Sequence, residues 1–183
     1  MKIDRFRVSN AVTRVRVATI DDADDLAKIA EHTCRESYTS VNSAQNMDAH
    51  CTAHFSQEQQ SLEILDQAQK TLLLECDGLL SGFAQLCWHK APKCYLQADS
   101  PSEILRFYLD QPLHGTGAAQ ALTKSVFEEA KKTETDVLWL GVWEQNFRAL
   151  GFYRQQGFLE VGDHTFQLGT DRQRDLIVAT HLN

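Results

Sequence analysis

The stretch from Glu103 to Leu122 constrains the fold of this chain more than any other part. It reads EILRFYLDQPLHGTGAAQAL: an apolar run over 103–109, two glycines one residue apart, and small residues typical of a helix. A strand that turns through a glycine loop into a helix directs several backbone N–H groups one way, with the helix dipole behind them. We therefore expect an anion site at Gly115 and Gly117, most naturally for a diphosphate. A plain strand-to-helix turn would need the same flexible residues, so the loop alone leaves both interpretations open.

Hydrophobic periodicity predicts the other elements and an α/β fold. Two apolar runs that flank Asp77-Gly78 predict a hairpin with a tight turn. The remaining predicted elements are a strand over 13–19, a helix over 21–37, one or two helices over 41–70 of which the last runs over 57–69, a strand over 136–143, a helix from the N-cap Asn146 to Gly157, and strands over 158–168 and 175–182 joined by a turn at 169–173. This order predicts one domain over 13–183 with a mixed sheet, after a leader over 1–12.

Composition excludes several classes of function. The formal net charge is −7, whereas nucleic-acid binding usually requires a basic surface. No apolar run approaches the length of a membrane span, and the N-terminus carries no apolar signal-peptide core. Five scattered cysteines without a CxxC pair predict reduced thiols and a cytoplasmic protein. The acidic surface is compatible with a cationic small-molecule partner.

A second motif lies downstream of the glycine loop. It reads WEQNFRALGFYRQQGF over 143–158, with Asn146 at a strand-to-helix junction and Tyr153 two turns further on. The loop from His114 to Ala119 resembles the (R/Q)xxGx(G/A) acetyl-CoA loop of GNAT-type N-acetyltransferases, and NFRALGFYRQQGF looks like that family's downstream motif. His114 departs from the pattern, because the family usually has Arg or Gln there. The segment 164–178 further resembles the bacterial PaiA-like subgroup, which is associated with acetylation of spermidine, spermine and related amines.

The resemblance implies a GNAT fold, whose mixed and mostly antiparallel central sheet is splayed between strands 4 and 5, with helices on both faces. It implies acetyl-CoA as cosubstrate, with its pantetheine arm between the strands at 103–109 and 137–143. The implied cofactor-binding residues are Phe107, Tyr108, Leu109, His114, Gly115, Thr116, Gly117, Ala118, Ala119, Asn146 and Tyr153. Asn146 is also expected as a helix N-cap, and the two roles can use different atoms. Dimers are frequent in the resembled family, which makes a homodimer an expectation here.

The family chemistry assigns the general acid to Tyr153. A leaving thiolate has a conjugate pKa of about 8.5 by analogy with cysteine, whereas tyrosine titrates near about 10, so the phenol is protonated at neutral pH and can donate. The alternative is a core tyrosine whose hydroxyl meets a backbone carbonyl. The acceptor amine, with a pKa of about 10.4 like lysine, arrives charged and must lose a proton to a carboxylate or a water chain. Glu103 and Glu144 are the candidates, although each also fits a solvated surface carboxylate.

The resulting hypothesis is direct attack of a small primary amine, polyamines first, on the thioester of acetyl-CoA. No cysteine falls within the cofactor motifs, which argues against an acyl-cysteine intermediate. Two alternatives remain open: acetylation of a protein N-terminus or lysine side chain, and a non-catalytic acyl-CoA sensor. Trp88 and Trp143 could pack against a cationic chain or simply belong to the core.

One further cluster has metal-ligand spacing. His50 and His54 lie four residues apart on a predicted helix, with Cys51 between them, and two such histidines can bind a metal. No third ligand is evidently placed, so we expect a polar helix face and no metal.

Overall fold

The computed structural model describes residues 12–94, 96–168 and 171–182, so the predicted leader lies outside the described residues except for Val12. The strands are β1 (Thr13–Val17), β2 (Gln69–Cys76), β3 (Leu79–Cys87), β4 (Pro101–Leu109), β5 (Val137–Trp143), β6 (Leu159–Leu168) and β7 (Asp171–His181). The helices are α1 (Ala23–Tyr38), α2 (Ala44–His54), α3 (Gln57–Leu65), α4 (Ala118–Lys131) and α5 (Phe147–Gln155), with short 3₁₀ turns at Ile20–Asp22 and Gln111–Leu113.

The described strands form one seven-stranded sheet in the order β1-β2-β3-β4-β5-β7-β6. Neighbouring strands are antiparallel except for β4 and β5, which are parallel. The predicted mixed, mostly antiparallel α/β sheet is therefore confirmed.

Helices cover both faces of the sheet, because side chains alternate between the faces along each strand. Leu72 and Leu74 on β2 pack in the core beneath α4 and α5, which also contains Leu122 and Tyr153. Leu73, between them in sequence, points the other way into a core formed with α1 and α2. Helices on both faces are thus confirmed as well.

The predicted hairpin is formed by β2 and β3. Asp77 and Gly78 both have positive φ angles, 51° and 80°, as a two-residue turn matched to the twist of the strands requires. The residues 41–70 form two helices, each capped by a serine: Ser43 accepts from the amide of Asn46, and Ser56 accepts from that of Gln59. The last of these helices ends at Leu65, earlier than predicted.

Three strand boundaries differ from the sequence prediction by two residues or more, and the first is the end of β1 at Val17 instead of residue 19. β4 begins at Pro101 instead of residue 103, because Pro101 already pairs with Val137. β7 begins at Asp171 instead of residue 175, because 171–173 continue the antiparallel ladder with 166–168 of β6. The predicted turn at 169–173 was therefore too long, and residues 169–170 lie outside the described part of the chain.

Candidate active site

A cleft opens in the middle of the sheet between β4 and β5. The register pairs are Pro101↔Val137, Ser102↔Leu138 and Glu103↔Trp139, and no further pair joins these two strands in the described chain. Beyond Glu103 the strands separate, while β4 stays paired with β3 to Leu109 and β5 stays paired with β7 to Trp143. Each strand therefore presents backbone N–H and C=O groups to the cleft, whose volume is about 230 Å³. The predicted splay between strands 4 and 5 is confirmed.

A β-bulge bends β4 at the start of the cleft. Gln85 of β3 pairs with Arg106, and the next residue, Leu86, pairs with Ile104, so Leu105 is an extra residue. Bulges of this kind occur near active sites because they re-aim backbone groups and side chains. The sequence prediction missed the bulge, since neither glycine nor proline marks it.

The cleft has two sides, which belong to opposite faces of the sheet. We call one the α4–α5 side; it is lined by Ala119, Asn146, Arg148, Ala149, Phe152 and Tyr153. We call the other the α1 side; it is lined by Ser37, Tyr38, Arg106, Tyr108, Gly141 and Trp143.

The glycine loop lies at the open end of the cleft. Gly115 and Gly117 have positive φ angles of 78° and 94°, and a Cβ atom on either glycine would meet open space. Gly117 is the N-cap of α4, which begins at Ala118. Within the described chain, the backbone amides of Gly115, Gly117, Ala119 and Gln120 make no hydrogen bond. Four free donors at a helix N-terminus form a site for an anion.

Arg148 reaches this loop from α5 and was not predicted from the sequence. Its Nη1 atom lies 2.7 Å from Nδ1 of His114, while Nε2 of His114 lies 3.2 Å from the carbonyl oxygen of Leu109. Burial and the charge of Arg148 lower the pKa of His114. The neutral ring then accepts a hydrogen bond from Arg148 and donates one to Leu109, and the exposed guanidinium is held beside the loop.

Tyr153 lies on α5 and is only 6% exposed. Its ring packs edge-on against Phe107 of β4, with centroids 6.1 Å apart, and against Phe158 at 5.5 Å. Burial raises the pKa of Tyr153, so the phenol is protonated at neutral pH. Within the described residues its hydroxyl makes no hydrogen bond, and the residue lines the cleft. A buried phenol facing a cleft can donate its proton to a group bound there.

Asn146 acts as the N-cap of α5, as predicted. Its Oδ1 atom accepts a hydrogen bond from the amide of Ala149 at 3.1 Å, and the residue also lines the cleft. The side-chain carbonyl is therefore used by the helix, and the amide nitrogen is the part left for a ligand.

The α1 side rests on a buried ionic network that the sequence did not reveal. Arg106 pairs with Glu63 of α3 at 2.5 Å, and their side chains are 12% and 7% exposed. Gln85 also donates to Glu63 at 2.9 Å and accepts from Arg106. Burial opposes ionisation of Glu63, but the hydrogen bond and charge of Arg106 outweigh it and lower the pKa of Glu63. The guanidinium also lies 5.2 Å from the ring centroid of Phe55.

The two carboxylates predicted as proton acceptors are each held by a cation. Glu103 pairs with Lys90 at 2.6 Å, and Glu144 pairs with Arg174 at 3.1 Å. Neither glutamate is among the described residues that line the cleft. Their assignment stays a prediction.

The structure brings most of the predicted cofactor-binding residues to one cleft. Those that line it are Phe107, Tyr108, Leu109, His114, Gly115, Ala119, Asn146 and Tyr153. Thr116, Gly117 and Ala118 follow in the loop and the first turn of α4 without lining the cleft itself. A free-amide loop at one end and two unpaired strand edges along the walls fit a ligand with a diphosphate and an amide-bearing arm.

The histidines with metal-ligand spacing pack against each other with their rings tilted by 49°. The rings of His50 and His54 lie 4.6 Å apart, and burial, followed by the neighbouring His54, lowers the pKa of His50 to about 4. A different group, His32, Glu36 and Asp110, brings its ligand atoms within 4.8 Å of one another in the described chain. Among the described helices, none is long and apolar enough to cross a membrane.

Comparison with known proteins places these features in context. The family model described as the acetyltransferase (GNAT) family matches residues 28–158. An uncharacterized N-acetyltransferase of Mycobacterium tuberculosis is 30% identical over 161 residues, which cover 88% of this chain and 98% of that protein.

Solved structures share the fold at lower identity. The PaiA N-acetyltransferase of Thermoplasma acidophilum, solved in complex with coenzyme A, superposes with a TM-score of 0.76 at 21% identity over 93% of this chain and 99% of that one. The ribosomal-protein-S18-alanine N-acetyltransferase of Escherichia coli gives a TM-score of 0.65 at 16% identity over 94% and 95% of the two chains.

Proposed function

The chain belongs to the acetyltransferase (GNAT) family, and we propose that it transfers the acetyl group of acetyl-CoA to a small primary amine, with polyamines such as spermidine first. The observation that carries this proposal is the cleft between β4 and β5, with free loop amides at its open end and a protonated tyrosine in its wall. The acidic net charge supports a cationic acceptor.

The loop from His114 to Ala119 binds the diphosphate in this proposal. The free amides of Gly115 and Gly117 donate to it, and the dipole of α4 favours its negative charge. Arg148 adds a guanidinium where the family usually has a side chain of the loop itself, so His114 serves as the residue that holds Arg148 in place.

The strand edges bind the pantetheine arm. Backbone groups of Phe107, Tyr108 and Leu109 hydrogen-bond its amides and orient the thioester carbonyl, and the amide nitrogen of Asn146 donates from the opposite wall. The bulge at Leu105 supports this role, because it turns the backbone of β4 at the beginning of the cleft.

Tyr153 donates a proton to the sulfur of the leaving thiolate. Burial keeps the phenol protonated, and its hydroxyl is not engaged by another described residue, so the proton is available. The amine attacks the thioester directly. This step is supported by the positions of the five cysteines, none of which is among the described residues that line the cleft. Glu103 and Glu144 stay the predicted proton acceptors for the amine.

A thiol-release assay with acetyl-CoA tests the proposal. Spermidine and spermine should release CoA thiol with a higher kcat/KM than a peptide that begins with alanine or a lysine-containing peptide. A preference for the peptides would favour protein acetylation, the activity named for the Escherichia coli neighbour. Binding of acetyl-CoA without thiol release for any amine would instead support a sensor. A cytoplasmic location and a homodimer stay predictions from the sequence.

A further inference from the structure

Three residues stand side by side on neighbouring strands at the α1 side of the cleft. Trp143 of β5 is paired in register with Asp175 of β7, which is paired in turn with His164 of β6. Directly opposed residues of paired strands point to the same face of a sheet. Tyr38, at the end of α1, packs against Trp143 with ring centroids 6.3 Å apart, so this is the face that α1 covers. Tyr153, a residue of α5, belongs to the core on the opposite face.

The carboxylate of Asp175 lies over Gly141, a residue of the cleft wall that has no side chain, and Asp175 itself is not among the described residues that line the cleft. A Cβ atom on Gly141 would lie 3.4 Å from Oδ2 of Asp175 and 3.0 Å from Cε1 of His164. Gly141, Tyr38 and Trp143 all line the cleft. The carboxylate therefore lies next to two residues of the cleft wall, Gly141 and its register partner Trp143.

No described residue satisfies this carboxylate. Oδ1 of Asp175 is buried without a hydrogen-bond partner, and Oδ2 accepts no hydrogen bond from the described chain either. The adjacent cation, Arg174, follows the strand alternation to the other face, where it pairs with Glu144 at 3.1 Å and with Asp163 at 2.5 Å.

The pKa shifts of Asp175 and of its neighbour Tyr38 are consistent with a negative charge that no nearby cation balances. Burial raises the pKa of Asp175, and nearby His164 opposes this rise. Burial, followed by the negative charge of Asp175, raises the pKa of Tyr38 to about 12. A buried carboxylate oxygen without a donor is costly, and a native structure rarely keeps one unless a ligand or water supplies the donor.

We propose that Asp175 binds an ammonium group of the acceptor amine, beside the packed rings of Tyr38 and Trp143. An ammonium group supplies N–H donors to the free oxygens, and the neighbouring aromatic rings provide a surface that attracts a cation. The acceptor then enters from the α1 side, while the diphosphate loop and Tyr153 serve the donor from the α4–α5 side. This inference rests on the proposed function and names the residue that selects a cationic acceptor.

Titration calorimetry on the CoA-loaded protein tests the inference without requiring turnover. Spermidine should bind the wild type and should bind Asp175→Asn at least about tenfold more weakly, because a hydrogen bond to a charged group is lost. Asp163→Asn is the matched control: it removes an exposed carboxylate of β6, near Asp175 but on the other face, and should leave the affinity unchanged. Asp175→Glu should recover part of the affinity, and thermal unfolding would show that the variants are folded.

Steady-state kinetics separates this inference from the proposed function. In the thiol-release assay, Asp175→Asn should raise KM for spermidine at least about tenfold, with a smaller change in kcat. An unchanged spermidine affinity in Asp175→Asn, or a fall in kcat alone, would overturn the inference while acetyl transfer itself stands. Absence of spermidine binding to the wild type would overturn it too. Absence of thiol release with every amine, despite spermidine binding, would count against the proposed function alone.

Discussion

The two sides of the cleft are built in different ways. The α4–α5 side comes from two continuous segments, 114–119 and 146–153, and offers backbone amides, one exposed guanidinium and aromatic rings. The α1 side is assembled from α1, β4, β5 and β7, and depends on charged side chains that the fold brings together, such as Arg106 and Asp175. A diphosphate common to many enzymes can be held by a short stretch of main chain, whereas an acceptor that must be discriminated needs side chains placed by tertiary structure.

The largest expected effect concerns the stability of the α1 side. Arg106→Leu should lower the free energy of unfolding by about 3–5 kcal/mol, because it leaves Glu63 buried without its cation. Chemical denaturation measures this effect. The double variant Arg106→Leu/Glu63→Gln is the control and should regain much of the loss, since the remaining amide carries no charge. A loss below about 1 kcal/mol in the single variant would mean that the network does not stabilise this side.

The next effect concerns chemistry at the α4–α5 side. Tyr153→Phe should lower kcat by about 100-fold or more, the usual contribution of a general acid, because the sulfur leaves as an unprotonated thiolate. The affinity for CoA should stay within about twofold, since the ring packing is retained. The thiol-release assay measures kcat, and calorimetry measures the affinity for CoA. Weakened CoA binding with an intact kcat would show that Tyr153 has a structural role instead.

A smaller effect is expected at the glycine loop. Gly117→Val should weaken CoA binding at least about tenfold, because the side chain displaces the diphosphate from amides whose hydrogen bonds to a charged group are worth about 1.5–3 kcal/mol. Gly78→Val is a matched control, since Gly78 also has a positive φ and open space around it but lies in the β2–β3 turn. Both variants share the backbone strain, and only the loop variant should lose CoA affinity. Equal CoA affinities for the two variants would show that the loop does not bind the diphosphate.

The smallest effect concerns the charge at this loop. Arg148→Leu should weaken CoA binding by about two- to fivefold, and added salt should reduce the difference, as expected for an exposed ionic contact. Arg154→Leu, at an exposed position on the same helix, should leave the affinity unchanged. If the two variants behave alike at low salt, Arg148 does not contact the diphosphate.

The α4–α5 side was predictable from local sequence patterns. The loop at Gly115 and Gly117, the cap at Asn146 and the position of Tyr153 all follow from residues within one or two turns of each other. The hairpin at Asp77-Gly78 was predictable for the same reason, because the turn type dictates its residues.

The α1 side could not be read from the sequence, because its pairings are long-range. Arg106 and Glu63 are 43 residues apart, and no local sequence pattern around either residue predicts that they pair. Asp175 looks like an ordinary polar residue of an alternating strand until its register beside Trp143 and Gly141 is known. The bulge at Leu105 depends likewise on the register with β3, which no local signal specifies.

Within the described sheet, three residue pairs are all that join the first four strands to the last three. Local opening of the sheet should begin at this junction between β4 and β5. Amide deuterium exchange along 104–109 and 140–143 should therefore be faster than in the other strands. A nucleotide bound in the cleft would contact both groups of strands and hold them together. The loaded enzyme should therefore melt at a higher temperature and as one unit, so that its rigidity depends on its own cosubstrate.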